Sequence, residues 1–358
     1  MKMKKILIYG LSNMYGGVEA FILNYVNHLP ENKYTVELII MNRTPQYLGE
    51  KLKREVKIHY VPERIKNPLG YNCRVNEIVK KGNYDILWCN FCTLSDITWL
   101  KAAKKYGIPV RIAHSHNSEN MGSKLVLISH LQHKKAISKY VTHFFACSDV
   151  AGKFMFGDNI VKQNNYCLIN NAIETDKYSY NENIRMKTRL DLKISDKIVI
   201  TNVGRFHFQK NHSFLVNVFS EFYKKYPTSV LLLIGDGELM EEVKNQVKKL
   251  GLTDCVMFLG NRGDVDRLMQ AADLLLMPSR FEGLPVSAIE AQASGLPCLF
   301  SDTLSHSGRF CNRPAVSAAF VLRRQHECRA GVSSLPRRDG RISIRDSLRC
   351  RRAGPSAC

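Results

Sequence analysis

The sequence predicts an α/β protein of two domains, each built around a parallel sheet that helices cover. Short runs rich in Val, Ile and Leu alternate with longer segments of helical periodicity, which is typical of βαβ units. In addition, 358 residues exceed the length at which a single hydrophobic core stops growing. We expect the first domain to span residues 1–170 and the second to span 171–305, with Asn171-Ala172-Ile173-Glu174 as the linker.

The amino-terminal segment predicts a strand, a glycine-bearing loop and a helix. The apolar run Lys4–Tyr9 is the strand, Gly10–Gly17 is the loop, and the apolar-periodic helix is Ala20–Leu29. Gly16 and Gly17 at the start of a helix allow a ligand to approach the backbone closely. Their spacing does not form the G-x-G-x-x-G fingerprint, which argues against a nicotinamide-dependent dehydrogenase.

Two histidines lie at the end of a predicted strand in the first domain. His114 and His116 are two residues apart, so on an extended chain their side chains point the same way. Metal binding would require a third ligand, and the sequence shows no such cluster. From the residues alone, these histidines are either part of a ligand site or hydrogen-bonding loop residues.

The second domain opens with a predicted strand and a cationic loop. The strand is Asp196–Val203, and the loop that follows carries Arg205 and Lys210. Arginine binds phosphate with a planar fork and lysine adds a point charge. The carboxyl end of a parallel strand is where open α/β sheets bind ligands. The alternative is a charged loop that contacts only water.

The segment Glu282–Glu290 reads E-G-L-P-V-S-A-I-E and predicts an anion site at the start of a helix. Pro285 suits the first helical turn and Gly295 suits the end of the helix. The backbone N–H groups near Gly283 and Leu284 would then face a phosphate. One glutamate could bind sugar hydroxyls and the other the two ribose hydroxyls. The alternative is a capped surface helix with two solvated acids.

Together these segments resemble the family 4 retaining glycosyltransferases of the GT-B fold, in which two Rossmann-like domains face each other across a cleft. The resemblance is closest to enzymes of bacterial capsule and exopolysaccharide assembly. It extends from the first strand to about Ser305. The motifs that carry it are G-R-F-x-x-Q-K-N-H (204–212), L-x-I-G-D-G (232–237), F-L-G-N-R-G-D-V (258–265), A-A-D-L-L-L-M-P-S-R-F-E-G-L-P (271–285) and A-I-E-A-Q-A-S-G-L-P (288–297).

The resemblance implies donor-binding roles for several residues of the second domain. It implies that Arg205 and Lys210 bind the donor diphosphate and that Glu290 binds the ribose. It also implies that Glu282 contacts the transferred sugar and that the backbone at Leu259-Gly260 meets the base.

In the first domain, the resemblance implies that the Gly16-Gly17 turn faces the donor phosphate across the cleft. His114 would lie beside the donor sugar, and His116 is the less certain of the two histidines. We therefore expect His114 and Glu282 to be the catalytic residues, and Gly16 and Gly17 to belong to the donor site.

The implied reaction is transfer, with retention, of a sugar from a nucleoside-diphosphate sugar. We expect a UDP-sugar as donor and a lipid-linked saccharide as acceptor. We expect neither metal nor cofactor, because cationic side chains and helix N-termini can neutralise the leaving diphosphate. Two alternatives remain: a sugar-nucleotide 2-epimerase of the same architecture, and an inactive remnant that only binds nucleotide.

The charge of the chain is concentrated in its amino half. The formal net charge is +20, and residues 1–170 contain 24 Lys and Arg against 12 Asp and Glu. This excess favours an anionic membrane surface as partner, although lysines also serve solubility. No motif supports nucleic-acid binding. Since the sequence shows no signal peptide and no apolar run of membrane-spanning length, we expect a cytoplasmic protein, peripheral on the inner face of the plasma membrane.

The composition changes abruptly after Ser305. Residues 306–358 contain no Lys, 12 Arg and four of the eleven cysteines. We interpret this segment as out-of-frame or foreign sequence, with a genuine basic appendage as the alternative, and we expect it to be disordered. The second domain would then be incomplete, since the family normally continues with further strands and helices. We accordingly expect this polypeptide to be poorly soluble, unstable or inactive.

Overall fold

The computed structural model describes residues 3–120, 122–282 and 284–301, together with the backbone of a strand at 319–322. Two parallel sheets organise this part of the chain. We call the seven-stranded sheet with its helices the first lobe, and the six-stranded sheet with its helices the second lobe. The predicted α/β class with two parallel sheets is therefore confirmed.

The first lobe contains seven strands, whose order in the sheet is β3-β2-β1-β4-β5-β6-β7. They are β1 Lys4–Tyr9, β2 Tyr34–Met41, β3 Lys57–Val61, β4 Ile86–Phe91, β5 Val110–Ser115, β6 His143–Ala146 and β7 Tyr166–Leu168. The helices of this lobe are α1 Gly17–His28, α2 Gln46–Lys51, α3 Pro68–Gly82, α4 Thr98–Lys105, α5 Lys124–Ala136 and α6 Asp149–Phe156.

The second lobe contains six strands in the order β10-β9-β8-β11-β12-β13. They are β8 Ile198–Val203, β9 Ser229–Ile234, β10 Val256–Gly260, β11 Leu274–Met277, β12 Cys298–Ser301 and β13 Ala319–Leu322. The helices are α7 Thr175–Tyr178, α8 Glu182–Asp191, α9 His212–Lys225, α10 Met240–Lys249, α11 Val265–Ala271 and α12 Val286–Ala293.

Both sheets are covered on two faces, as the apolar composition of their strands predicts. In β1, Leu7 packs into one apolar cluster, while Ile6 and Ile8 pack into another on the opposite face. Likewise Leu232 in β9 lies in one cluster of the second lobe and its neighbour Leu231 lies in the other. Since side chains alternate along a strand, each sheet separates two cores.

The strand order places a topological switch point in each sheet. The chain leaves β1 towards β2 on one side and later adds β4 on the other, so the loops after β1 and β4 diverge. The same reversal occurs between β8 and β11. Open α/β sheets bind ligands in the crevice at such a switch point, so these four strand ends locate the candidate site.

The predicted elements are recovered with small shifts at their ends. β1 has the predicted bounds, and β8 begins at Ile198 rather than Asp196. The helix predicted at Ala20–Leu29 is α1, which begins three residues earlier at Gly17. The segment predicted as the linker contains no helix or strand up to Thr175, and the domain limits of 170 and 305 stay a prediction.

The carboxyl-terminal segment is described only at one strand. The backbone of β13 pairs in parallel with β12, with Cys298 opposite Ala319 and Ser301 opposite Leu322. The sequence of this strand, A-F-V-L, has the apolar and β-branched character that strands favour, and the disorder expected for 306–358 stays a prediction. The rest of the predicted disordered tail lies outside the described residues.

Candidate active site

The two switch points lie close to each other, because the start of α1 is near the start of α12. A Cβ atom added at Gly17, the first residue of α1, would lie 3.9 Å from Val286 Cγ2, in the first residue of α12. Nearby, Leu284 packs with Cys147 and Ala151 of the first lobe. The candidate site is therefore lined by loops from both sheets, next to two helix N-termini that favour negative charge.

Lys210 and Glu282 form a buried ion pair in this crevice. Lys210 Nζ lies 2.7 Å from Glu282 Oε1, and the side chains are 15% and 8% exposed. Gln209 donates to the other carboxylate oxygen of Glu282 at 3.2 Å and to the Phe281 carbonyl at 3.0 Å. The predicted phosphate-binding lysine and the predicted sugar-binding glutamate thus neutralise each other.

The geometry of Lys210 depends on a close approach to Gly204. A Cβ atom at Gly204 would lie 2.9 Å from Lys210 Cε, so the lysine stem crosses the end of β8 directly. Phe208–Lys210 forms a 3₁₀ turn, and Asn211 adopts a left-handed conformation (φ 56°) before α9 begins. This turn places Lys210 beside the end of β8, where Glu282, which follows β11, also lies.

Arg205 lies apart from that pair. Its guanidinium donates to Glu238 Oε2 at 3.1 Å, and its side chain is half exposed. His207 Nε2 lies 3.6 Å from the other oxygen of the same carboxylate. In the described structure, Arg205 and Lys210 therefore do not contact a common group. Arg205 pairs with Glu238, and Lys210 pairs with Glu282.

Glu290 lies on α12 and accepts a hydrogen bond from Tyr178. The Tyr178 hydroxyl donates to Glu290 Oε1 at 2.5 Å. Burial raises the pKa of Glu290 above its usual value, although this hydrogen bond and the charges of Lys177 and Lys51 act in the opposite direction. The hydrogen bond from Tyr178 thereby holds the Glu290 carboxylate in one orientation.

The strand ends next to β8 are fixed by backbone contacts. Gly235 donates its N–H to the Gly260 carbonyl at 2.8 Å. A Cβ atom at Gly235, where φ is +134°, would lie 2.2 Å from the Gly204 carbonyl oxygen. Leu259 is partly buried against the core of this lobe. The segment Leu259-Gly260, predicted to meet the base, is thus part of the same strand edge as the cationic loop.

The loop before α1 is closed by a buried carboxylate that the sequence did not single out. Glu19 Oε1 accepts from the Ser12 backbone N–H at 3.0 Å, and Glu19 is only 6% exposed. Burial raises the pKa of Glu19. Gly16 is extended and is followed by Gly17 without a side-chain cap, and the backbone N–H of Gly16 is itself hydrogen-bonded to the Glu19 carboxylate.

The two predicted histidines stack on each other. The rings of His114 and His116 have centroids 4.3 Å apart, and Phe21 of α1 meets both rings edge-on. His114 is fully buried, and neither of its ring nitrogens has a hydrogen-bond partner among the described residues. Burial and the neighbouring ring lower the pKa of His114 well below its usual value. His116 is half buried and lies nearer the end of β5.

The predicted helix start near Gly283 is described only in part. Gly283 lies outside the described residues, so its expected role has no structural outcome. Leu284 is buried, and its carbonyl accepts from Asn171 Nδ2 at 2.6 Å. Pro285 is the residue before α12 rather than its first residue, and Gly295 (φ +65°) follows its end.

Besides Glu19, four residues join this site without having been predicted: Asn90, Tyr178, Gln209 and Glu238. Each contacts a predicted residue from another part of the chain, and Tyr178 is 112 residues from Glu290. Gln209 had a local signal, since it directly precedes Lys210 in the cationic loop. The other three pairings depend on strand order and loop conformation, which no local pattern encodes.

Comparisons with known proteins agree with this geometry. The family pattern "Glycosyl transferases group 1" matches residues 185–312, and "Glycosyltransferase Family 4" matches residues 15–177. Glycosyltransferase EpsF of Bacillus subtilis (strain 168) is 31% identical over 312 residues, which cover 84% of this chain and 80% of EpsF.

Two further similarities concern an enzyme of Escherichia coli and a solved structure. The UDP-Gal:alpha-D-GlcNAc-diphosphoundecaprenol alpha-1,3-galactosyltransferase of Escherichia coli is 26% identical over 310 residues, covering 83% of this chain and 79% of that enzyme. The crystal structure of Anabaena HepE in complex with UDP and glucose has a TM-score of 0.73 at 18% identity, covering 89% of this chain and 85% of HepE.

With two parallel sheets, facing switch points and anion-directed helix starts, the chain has the architecture of a glycosyltransferase that uses nucleoside-diphosphate-sugar donors. More specifically, it belongs to the family 4 glycosyltransferases of the GT-B fold. The resemblance inferred from the motifs is thus confirmed. Two of the similar proteins are named for polysaccharide synthesis: a Vi polysaccharide biosynthesis protein of Salmonella typhi, which is 32% identical over 28% of this chain, and WaaG, a glycosyltransferase involved in lipopolysaccharide biosynthesis.

None of the helices in the described part of the chain combines the length and the apolar character needed to cross a bilayer.

Proposed function

We propose that this protein transfers a sugar from a UDP-sugar to a lipid-linked saccharide, with retention of the anomeric configuration. The observation that carries the proposal is the buried pair of Lys210 and Glu282 beside the facing helix starts. A UDP-sugar offers an anionic diphosphate to the lysine and hydroxyl groups to the carboxylate. Both charges of the pair would then be satisfied by one ligand.

The remaining site residues fit the other parts of such a donor. Glu290, held by Tyr178, would accept from the two ribose hydroxyls. The strand edge at Leu259-Gly260 would meet the base, and Arg205 would exchange Glu238 for a phosphate oxygen. Support for UDP comes from HepE, which binds UDP and glucose, and from the E. coli enzyme named for UDP-Gal.

In the proposed reaction, the bond between the anomeric carbon and the diphosphate oxygen breaks as the acceptor oxygen bonds to that carbon. The acceptor hydroxyl gives its proton to a phosphate oxygen of the departing UDP, which leaves as the second product. Negative charge develops on the diphosphate, where Lys210 and the starts of α1 and α12 stabilise it. Stabilisation of developing charge by fixed groups is usually the largest catalytic contribution. We assign no covalent nucleophile.

The test is a transfer assay with a panel of UDP-sugars and a synthetic lipid-diphosphate-linked GlcNAc acceptor. We expect one donor to give a new disaccharide whose NMR couplings show the same anomeric configuration as the donor. Lys210→Met should reduce the rate at least tenfold, whereas Lys224→Met, which removes an exposed lysine of α9, should not.

Three outcomes would contradict the proposal. Inversion at the anomeric carbon would refute the retaining mechanism. Conversion of the UDP-sugar to its epimer without acceptor would favour the epimerase. UDP binding without any product would favour the inactive remnant.

We also propose that the first lobe binds an anionic membrane through α5. Leu125, Ile128 and Leu131 are 77%, 51% and 48% exposed and lie at helical spacing on one face. Exposed Lys124 and Lys135 occupy the same helix. Apolar residues flanked by lysines are typical of helices that lie in the membrane interface. Because α5 follows the loop after β5, the helix begins at the same edge of the sheet as the candidate site.

Vesicle flotation tests this assignment. The wild type should float with vesicles containing phosphatidylglycerol and remain unbound with neutral phosphatidylcholine vesicles. Replacing the three apolar residues of α5 with Gln should abolish flotation. Leu190→Gln provides the matched control, since Leu190 is an exposed leucine (69%) on α8 of the second lobe. Equal flotation of the α5 variant and the control would refute a role for α5.

A further inference from the structure

Three neighbouring strand ends of the first lobe are joined through one asparagine. Asn90 of β4 donates from Nδ2 to the Tyr9 carbonyl of β1 at 3.1 Å. Its Oδ1 atom lies 2.8 Å from Nε2 of His116, which follows β5. β1, β4 and β5 are adjacent in the sheet, so this chain of hydrogen bonds crosses the ligand-binding edge.

The Tyr9 carbonyl determines how the asparagine amide is oriented. A carbonyl oxygen only accepts, so the nitrogen of the Asn90 amide must face Tyr9 and its oxygen must face His116. The amide oxygen also only accepts. Consequently Nε2 of His116 carries the hydrogen, and in a neutral ring Nδ1 is the nitrogen with a free lone pair.

Close packing holds Asn90 in this position. Asn90 is 4% exposed. A Cβ atom at Gly10 would lie 2.6 Å from Asn90 Cβ and 2.8 Å from its carbonyl oxygen, and Gly10 has a φ of +131°. Only glycine allows the chain after β1 to pass so close to the asparagine. The amide is therefore fixed by sterics as well as by hydrogen bonds.

The surroundings of the His116 ring favour its neutral form. Burial lowers the pKa of His116 to about 3. Among the described residues, the titratable ring stacked on it is His114 of β5, while α1 contributes the uncharged Phe21. Both ring nitrogens of His114 are buried without a partner, and this is true of neither nitrogen of His116. His116 is thus the ring with an acceptor atom to offer.

We propose that Asn90 is a positioning residue that holds His116 as the Nε2–H tautomer, so that Nδ1 accepts a hydrogen bond from a hydroxyl group of the bound sugar. The identity of that hydroxyl as part of the donor rests on the proposed function, whereas the tautomer does not. The two stacked histidines then have different roles. His116 contacts the sugar, and the ring of His114 packs against the ring of His116.

Long-range ¹H–¹⁵N NMR of the ligand-free protein tests the tautomer directly. The His116 ring, assigned by its loss in His116→Gln, should show a protonated Nε2 and an unprotonated Nδ1 from pH 6 to 8. Asn90→Leu removes the acceptor and should give a mixture of tautomers. Asn90→Asp, which is nearly isosteric, should keep the Nε2–H form while its carboxylate raises the pKa of His116.

Kinetics then test the role in transfer. Asn90→Leu should lower kcat/KM about tenfold, the loss expected for one hydrogen bond, while Asn72→Leu, at an exposed asparagine of α3, should have no effect. Asn90→Asp should retain activity at high pH and lose it as pH falls and the ring becomes protonated. A wild-type ring protonated on Nδ1 would overturn the tautomer. The expected tautomer with unchanged kinetics in both Asn90 variants would overturn the positioning role.

The tautomer of His116 can be tested independently of the proposed function. If no donor is transferred by the wild type, the transferase proposal fails and the NMR result still decides the tautomer. In that case, UDP-glucose binding should shift the Nδ1 resonance of His116 if the ring accepts a sugar hydroxyl, whereas UDP alone should not. Equal shifts with both ligands would contradict the contact with the sugar.

Discussion

Replacing Lys210 with methionine should destabilise the protein and weaken nucleotide binding for two separable reasons. The pair with Glu282 is 2.7 Å long and its side chains are 15% and 8% exposed. Removing one partner of a buried pair leaves the other charge uncompensated, which costs about 3–5 kcal/mol. Since Gln209 still donates to Glu282, we expect the lower value of about 3 kcal/mol.

The double variant Lys210→Met with Glu282→Gln distinguishes the two effects. Because the unpaired charge is gone, we expect its free energy of unfolding to return to within about 1 kcal/mol of the wild type. Nucleotide binding should not return, because the lysine proposed to contact the diphosphate is still missing. A hydrogen bond to a charged group contributes about 1.5–3 kcal/mol, so the Kd for UDP should rise by about 10- to 100-fold.

Urea denaturation and isothermal titration calorimetry with UDP measure the two quantities independently. Lys224→Met is the control, since Lys224 and Glu221 lie 2.6 Å apart but are 66% and 73% exposed, and exposed pairs contribute little. A Lys210→Met variant as stable as this control would refute the argument from burial. Recovery of UDP affinity in the double variant would refute the contact between Lys210 and the diphosphate.

Three further predictions follow from other contacts. Tyr178→Phe should raise the Kd for UDP about tenfold, the loss of one hydrogen bond that orients Glu290, but should leave the Kd for 2′,3′-dideoxy-UDP unchanged; equal effects on both ligands would contradict a role at the ribose. Although burial opposes it, hydrogen bonds from neighbouring side chains lower the pKa of Glu37 to about 2. Its contribution to stability is therefore complete above its unfolded pKa of about 4.3 and is lost as pH falls towards 2, so Glu37→Gln should flatten the acid limb of the stability curve measured by urea denaturation. Gly235→Ala should destabilise the protein by more than 1 kcal/mol, since the new Cβ would meet the Gly204 carbonyl at 2.2 Å; an unchanged melting temperature would contradict that steric argument.

The sequence predicted the elements that depend on local patterns. β1 has its predicted bounds because an apolar run ends sharply at Gly10. α1 begins earlier than predicted, at Gly17, because the extended Gly16 serves as the helix cap. Glycine is a weak helix former, so periodicity alone placed the start at the first alanine.

The sequence predicted which residues line the candidate site, but it predicted less well which of them contact each other. Arg205, Lys210 and Glu282 follow strands, and the ends of parallel strands meet at one edge of a sheet. Their partners could not be predicted, because the Glu238 contact with Arg205 depends on how two loops fold onto each other. The burial of His114 could not be predicted either. Residues two positions apart on a strand lie on the same face of the sheet but can differ in solvent exposure.

The facing starts of α1 and α12 have a consequence for how the two lobes come together. Each helix start carries a partial positive charge of about half a unit, and Gly17 and Val286 bring these charges close to each other. Without an anion, the two ends repel, so the electrostatic energy of the ligand-free protein favours separation of the lobes. A diphosphate between them reverses the sign of this interaction for both lobes at once. If the donor binds as proposed, its diphosphate would act as a counter-ion that draws the two lobes together, and the departure of UDP would remove that attraction.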